Sequence, residues 1–240
     1  MKYIQDIIGQ MRRLIPTFFV VYVPVFFVLL SLFLVWMLTE YPIKDLTRDP
    51  LAVIETALLE VQRHPEEGMH AFARLELPFF VGIVSNLGIL LWCSAVCVLS
   101  FTACFLWCGG KAYRGHAHFL LAGALLSFIL MLDDLLLLHE RALPLYFDVS
   151  EVYLFAVYGV AVLGYLLVFR EQILKTDYVL LGGAFCLFAV SLAVDLIPMA
   201  IPQPFFFEDG SKFAGVATWA AYHIRSSATY LQIREPETLG

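Results

Sequence analysis

The sequence predicts an all-α protein, a polytopic transmembrane helix bundle of about six spans, on three observations. Hydrophobic residues fill 61% of the 240 positions and charged residues only 15%, a balance suited to a lipid solvent. The apolar residues gather into six runs, each long enough or nearly so for the roughly 20 residues that a helix needs to cross hydrocarbon. Lys and Arg are unevenly shared among the connections, as expected when positive residues are retained on the cytoplasmic side. One integral membrane domain, 1–240, accounts for the chain, with residues 39–77 as an extracytoplasmic segment within it.

The first span is read from Pro16 to Leu38. Arg12 and Arg13 precede it, it is too long for a signal-peptide core, and no small-residue cleavage site follows, so it is expected to stay. In the segment from Thr39 to Leu77, Leu51, Ile54, Leu58, Leu59 and Val61 lie among charged residues after Asp49 and Pro50. That pattern describes an amphipathic helix, acting as a lid over the outer surface or lying on lipid.

Pro78 to Cys108 forms the second span, long enough to tilt. Cys93, Cys97, Cys104 and Cys108 share one face of it over about 22 Å, read as small packing residues rather than soft-metal ligands. Further spans run from His118 to Leu138, Val152 to Phe169, Tyr178 to Ile197 and Phe213 to Ile233, the last interrupted by Arg225. Ala189 with Ala193, and Ala217 with Ala221, have the spacing that lets helices approach closely. Pro198, Pro202 and Pro204 stiffen the connection between them.

With the amino terminus inside, the inner segments hold Lys2, Arg12, Arg13, Lys111, Arg114, Arg170, Lys175, Arg225 and Arg234. The outer segments hold Lys44, Arg48, Arg63, Arg74, Arg141 and Lys212, mostly in the long first connection. The expected arrangement is therefore multi-pass with both termini cytoplasmic.

This orientation brings acidic residues to one outer level: Asp133, Asp134, His139 and Glu140 from the third span, Asp195 from the fifth, and Glu208 and Asp209 from the sixth. A carboxylate in hydrocarbon costs on the order of 2.5–3.5 kcal/mol on insertion scales, so such residues are functional candidates. On a regular helix Asp133 and Glu140 share a stripe, while Asp134 and His139 lie about 100° and 120° to either side. His139 joins Asp133 only if the helix unwinds after Leu138. Asp133, Asp134, His139, Glu140 and Asp195 are candidate ligands for a divalent metal, with Mg, Mn, Fe, Ca and Zn unresolved. Glu208 and Asp209 are candidates for a further ligand or general base, and Lys212, one turn after Glu208, for their electrostatic partner.

The expected function is a metal-dependent enzyme acting on a lipid or head-group substrate. The alternatives are a proton- or cation-coupled transporter or channel, in which the carboxylates form a relay, and an accessory subunit in which they pin helix ends beside other membrane subunits. His118 and His223 approach the inner side and offer a b-type haem site, against the simpler reading of both as interfacial residues. The net charge of −6 without a basic run predicts no nucleic-acid partner. Ser127 and Asp133 in one span, with His139 beyond, loosely resemble membrane hydrolases of the alkaline ceramidase and adiponectin receptor type. The closing HxxxH pair of that family is absent, since the last span offers only His223.

Overall fold

A computed structural model describes residues 2–39, 43–47, 54, 58–59, 61–65, 81–197 and 203–234. Among these the chain is all-α, with no strand. The helices are α1 (Lys2–Leu38), α2 (Ile43–Thr47), α3 (Ile83–Cys108), α4 (Arg114–Leu136), α5 (Leu143–Phe147), α6 (Glu151–Val168), α7 (Arg170–Leu174), α8 (Tyr178–Leu196) and α9 (Pro204–Arg234). A 3-10 turn, Lys111–Tyr113, leads into α4, and a π-helical turn, Leu138–Ala142, follows it. The amphipathic helix expected after Asp49 lies largely outside the described residues; 54, 58, 59 and 61–63 are helical.

Among the described residues five helices are long and apolar enough to cross a membrane: α1, α3, α4 with its 3-10 lead, α6 and α8. Most of their surface is apolar and uncovered by protein, least covered on α6, where lipid is the natural solvent. The run expected as a sixth span belongs to a different kind of helix. In α9 every residue from Phe213 to Ala220 is buried, so its neighbours are protein and it needs no lipid-like hydropathy.

The chain divides into two compact units, one of Met1–Val21, Ile89–Phe185 and Val216–Gly240, the other of Tyr22–Gly88 and Cys186–Gly215. In the first, α3 buries Trp92, Ala95, Leu99, Ala103 and Leu106 at helical spacing, and α4 buries Phe119, Leu120, Ala124 and Leu126. The four α3 cysteines lie on the opposite, exposed face; they do not pack as expected, because the apolar stripe that faces protein is the one through Trp92 and Leu99. In the second unit Val25, Leu32, Ile43, Leu46, Val84 and Phe213 form the core. A Cβ at Gly215 would lie 2.8 Å from the Phe188 ring, so α8 and α9 meet there because residue 215 has no side chain. Ala189, expected at a close helix contact, is exposed.

The first helix starts fourteen residues before the expected span at Pro16. Its extension carries a polar stripe one or two turns apart, Asp6, Gln10, Arg13 and Thr17, which docks in the first unit. Tyr178 OH donates to Asp6, and Gln10 Oε1 accepts the Val179 N–H at the start of α8. That contact gives one of α8's first backbone donors a partner.

Candidate functional site

The third predicted span does end at its acidic residues, but not as a regular helix. Leu137 caps α4 in the left-handed region, at φ 49°, a conformation costing a branched side chain about 1–2 kcal/mol. Nothing in DDLLLLHE demands a glycine-like position there. The compensation comes from His139, which the break carries back over α4. Its backbone N–H donates to Asp133 Oδ1 at 3.1 Å, and its Nδ1 lies 2.5 Å from Asp133 Oδ2. Hydrogen bonds to a charged group contribute about 1.5–3 kcal/mol each, enough to offset the turn. The unwinding that would allow His139 to join Asp133 is present, two residues earlier than expected, since α4 ends at Leu136.

The second helix of the site is α6. Tyr158 OH donates to Asp133 Oδ1 at 2.8 Å, and Phe155, one turn away on the same face, lays its ring 5.1 Å from that of His139. Asp133 is 5% exposed and His139 9%, so the carboxylate is removed from water with three donors around it. This is a carboxylate that fixes the orientation of an imidazole: Asp133 engages Nδ1, leaving Nε2 as the ring's basic atom. Tyr158 and Phe155 were not legible in the sequence, where both are aromatic residues of an apolar span.

Asp134 points elsewhere. Its Oδ2 accepts from Trp92 Nε1 at 2.9 Å, and the Trp92 ring meets Trp219 edge-on at 5.8 Å. Trp219 Nε1 in turn donates to Ser127 Oγ, tying α9 to α4. Glu140 lies in the π-helical turn, and its side chain is outside the described residues. The remaining candidates belong to the second unit: Asp195 is exposed near the end of α8, and Glu208, Asp209 and Lys212 are half-buried near the start of α9. Among the described residues no three His, Cys, Asp or Glu side chains gather closely enough to hold a metal ion. The physical reason at Asp133 is plain, since its oxygens are taken up by His139 and Tyr158.

A second polar centre was missed altogether. Asp177, between α7 and α8, accepts from Arg13 at 2.6 Å and from Arg225 Nε at 2.7 Å, and Arg225 also donates to Thr17 Oγ1 at 3.1 Å. Arg225 thus interrupts the last apolar run because it answers a buried carboxylate. The signal was available in Arg225 and in the acid preceding Tyr178, but the pairing spans 48 residues.

His223 is fully buried within the protein, whereas His118 is exposed and edge-on to Trp107, so the two imidazoles lie in different environments. Around His223 lies an unusual set of polar atoms. His223 Nδ1 and Nε2, Tyr165 OH, Ser227 Oγ, Tyr230 OH and His116 Nδ1 are buried and make no hydrogen bond within the protein. Each such atom costs about 1–3 kcal/mol if it stays unpartnered. Several together rival the roughly 5–15 kcal/mol that stabilises a whole domain.

A family model described as Domain of unknown function (DUF8692) matches residues 20–226. No curated protein and no solved structure matches the chain.

Proposed function

The chain belongs to the DUF8692 family, and we propose that it is a multi-pass membrane protein whose Asp133–His139 pair performs acid–base chemistry on a lipid or head-group substrate. The observation that carries this reading is the buried carboxylate holding His139 Nδ1 at 2.5 Å, with Tyr158 and a backbone N–H completing its shell. In such a pair the carboxylate sets the tautomer, stabilises the imidazolium that forms on proton uptake, and leaves Nε2 to take or give the proton. For the divalent metal expected from the sequence this geometry offers one ligand, His139 Nε2, with Asp133 orienting the ring, and further ligands would have to come from outside the described residues. Glu208, Asp209 and Lys212, in the second unit, remain a separate proposal of a base with its counter-charge.

For topology, α9 completes six crossings and both termini face the cytoplasm, on the strength of the Lys and Arg distribution. The uncovered apolar surface of α6 supports lipid or a further membrane subunit as neighbour. A proton- or cation-coupled carrier is the second reading, favoured by the polar atoms buried around His223.

The test uses the purified full chain in liposomes of mixed phospholipids and glycolipids, with lipid products followed by mass spectrometry and an internal pH dye reporting proton flux. Turnover that falls about 100-fold in Asp133→Asn and His139→Gln, and stays unchanged in the exposed Glu171→Gln, supports the acid–base reading. Dye response without lipid turnover transfers the case to the carrier. Full turnover in Asp133→Asn ends the proposal.

A further inference from the structure

Two helical stripes face each other in the first unit. From α4 come His116, Phe119, Gly123 and Ser127, and from α9 come Tyr230, Ser227, His223 and Trp219, each set advancing three or four residues at a step. They run antiparallel. At one end Trp219 donates to Ser127, and at the other the rings of His116 and Tyr230 lie 4.5 Å apart. Between those closed ends the polar groups of the stripe, His223, Ser227 and Tyr230, are internally unbonded, and Tyr165 from α6 joins them.

Gly123 is central to this arrangement. The point a Cβ would occupy there lies 3.2 Å from His223 Cε1 and 3.2 Å from Tyr165 OH. An imidazole and a phenol from two other helices thus converge on one spot beside a residue with no side chain, and neither hydrogen-bonds to the other. His223 and Tyr165 are almost wholly buried, at 0% and 6% exposure. Every group in the set is neutral or readily so, and each hydroxyl can both donate and accept. No carboxylate or guanidinium is needed to explain what they bind.

We infer that these groups line an internal chamber holding bound water, with the His223 imidazole as its centre. A water molecule typically makes two to four hydrogen bonds to otherwise unsatisfied buried groups, and it is small enough to serve partners on three helices at once. An anion finds no cation in the set, a metal ion finds no group of three ligating side chains among the described residues, and a large flat cofactor has no room between rings as close as His116 and Tyr230. The chamber makes the interior of the bundle polar at a depth where the surrounding helix surfaces face lipid. It gives His223 a route for proton exchange without an exposed surface. The inference shares no residue with the Asp133–His139–Tyr158 site and stands or falls apart from it.

The test is water-edited solid-state NMR on the full chain in bilayers. Tyr222–His223 is the single Tyr-His pair in the sequence and Thr218–Trp219 the single Thr-Trp pair. Carbonyl labelling of the first residue with uniform carbon and nitrogen labelling of the second selects each residue through its backbone amide, and intraresidue carbon transfer then assigns both rings without any substitution. Trp219 Nε1 already has a protein partner and serves as the dry reference. Magnetisation from water is expected to reach the His223 ring N–H at least five-fold faster than the Trp219 indole N–H, and the His223 signal is expected to be lost sooner in D2O. Transfer to His223 that is equal to or slower than transfer to Trp219 overturns the inference.

Discussion

Replacing Asp133 by Asn separates a carboxylate that organises the end of α4 from one that merely tolerates its position. The side chain keeps its shape, and Oδ1 can still accept from the His139 N–H and from Tyr158. What changes is the charge and the atom facing His139 Nδ1, where an amide NH2 replaces an oxygen and forces the other imidazole tautomer. The two bonds that persist on Oδ1 fall from about 1.5–3 kcal/mol each toward the 0.5–1.5 kcal/mol of neutral ones, so a net loss of at least about 2–3 kcal/mol is expected. For a chain of this size that lowers the melting temperature by about 5–10 °C. Asp133→Ala also orphans Tyr158 OH and the His139 N–H and should lose about 3–5 kcal/mol. Thermal unfolding in nanodiscs, followed by tryptophan fluorescence, reads both against Glu171→Gln, an exposed change expected to lie within about 0.5 kcal/mol of the parent. If Asp133→Asn melts with Glu171→Gln, the carboxylate does not hold the left-handed turn at Leu137 and the reasoning fails.

Gly215→Ala places a methyl 2.8 Å from the Phe188 ring and should destabilise by about 1–3 kcal/mol in the same assay. Gly183→Ala meets only Thr218 Cγ2 at 3.8 Å, an ordinary contact, and should be neutral or gain up to about 1 kcal/mol from helix propensity. Both Arg13→Gln and Arg225→Gln leave Asp177 one cation, but the Arg13 side chain is 62% exposed and that of Arg225 36%. Chemical denaturation should therefore show about 0.5 kcal/mol lost for Arg13→Gln and about 1–2 for Arg225→Gln, which also forfeits Thr17. Equal losses count against the burial argument. Trp219→Phe keeps an aromatic ring edge-on to Trp92 but orphans Ser127 Oγ as an acceptor, so a loss of about 1–2 kcal/mol is expected by thermal unfolding.

Composition and run length were sufficient for the class of structure, because hydrocarbon leaves a backbone few options besides the helix. The spans from Val152 and from Tyr178 begin within one residue of the observed α6 and α8. Acidic residues in apolar runs marked the end of α4 correctly, since the cost of burying charge does not depend on what surrounds it in sequence. What the sequence could not decide was partnership. Regular helical phase puts Asp133 and His139 about 120° apart, and only a left-handed residue at Leu137 brings them together. Tyr158, Asp177 with Arg225, and the stripe through His223 join residues from distant parts of the chain, by contacts that periodicity along one helix does not encode. Lipid, acting on each segment alone, selected the helices; packing of one against another chose which of their few polar groups meet.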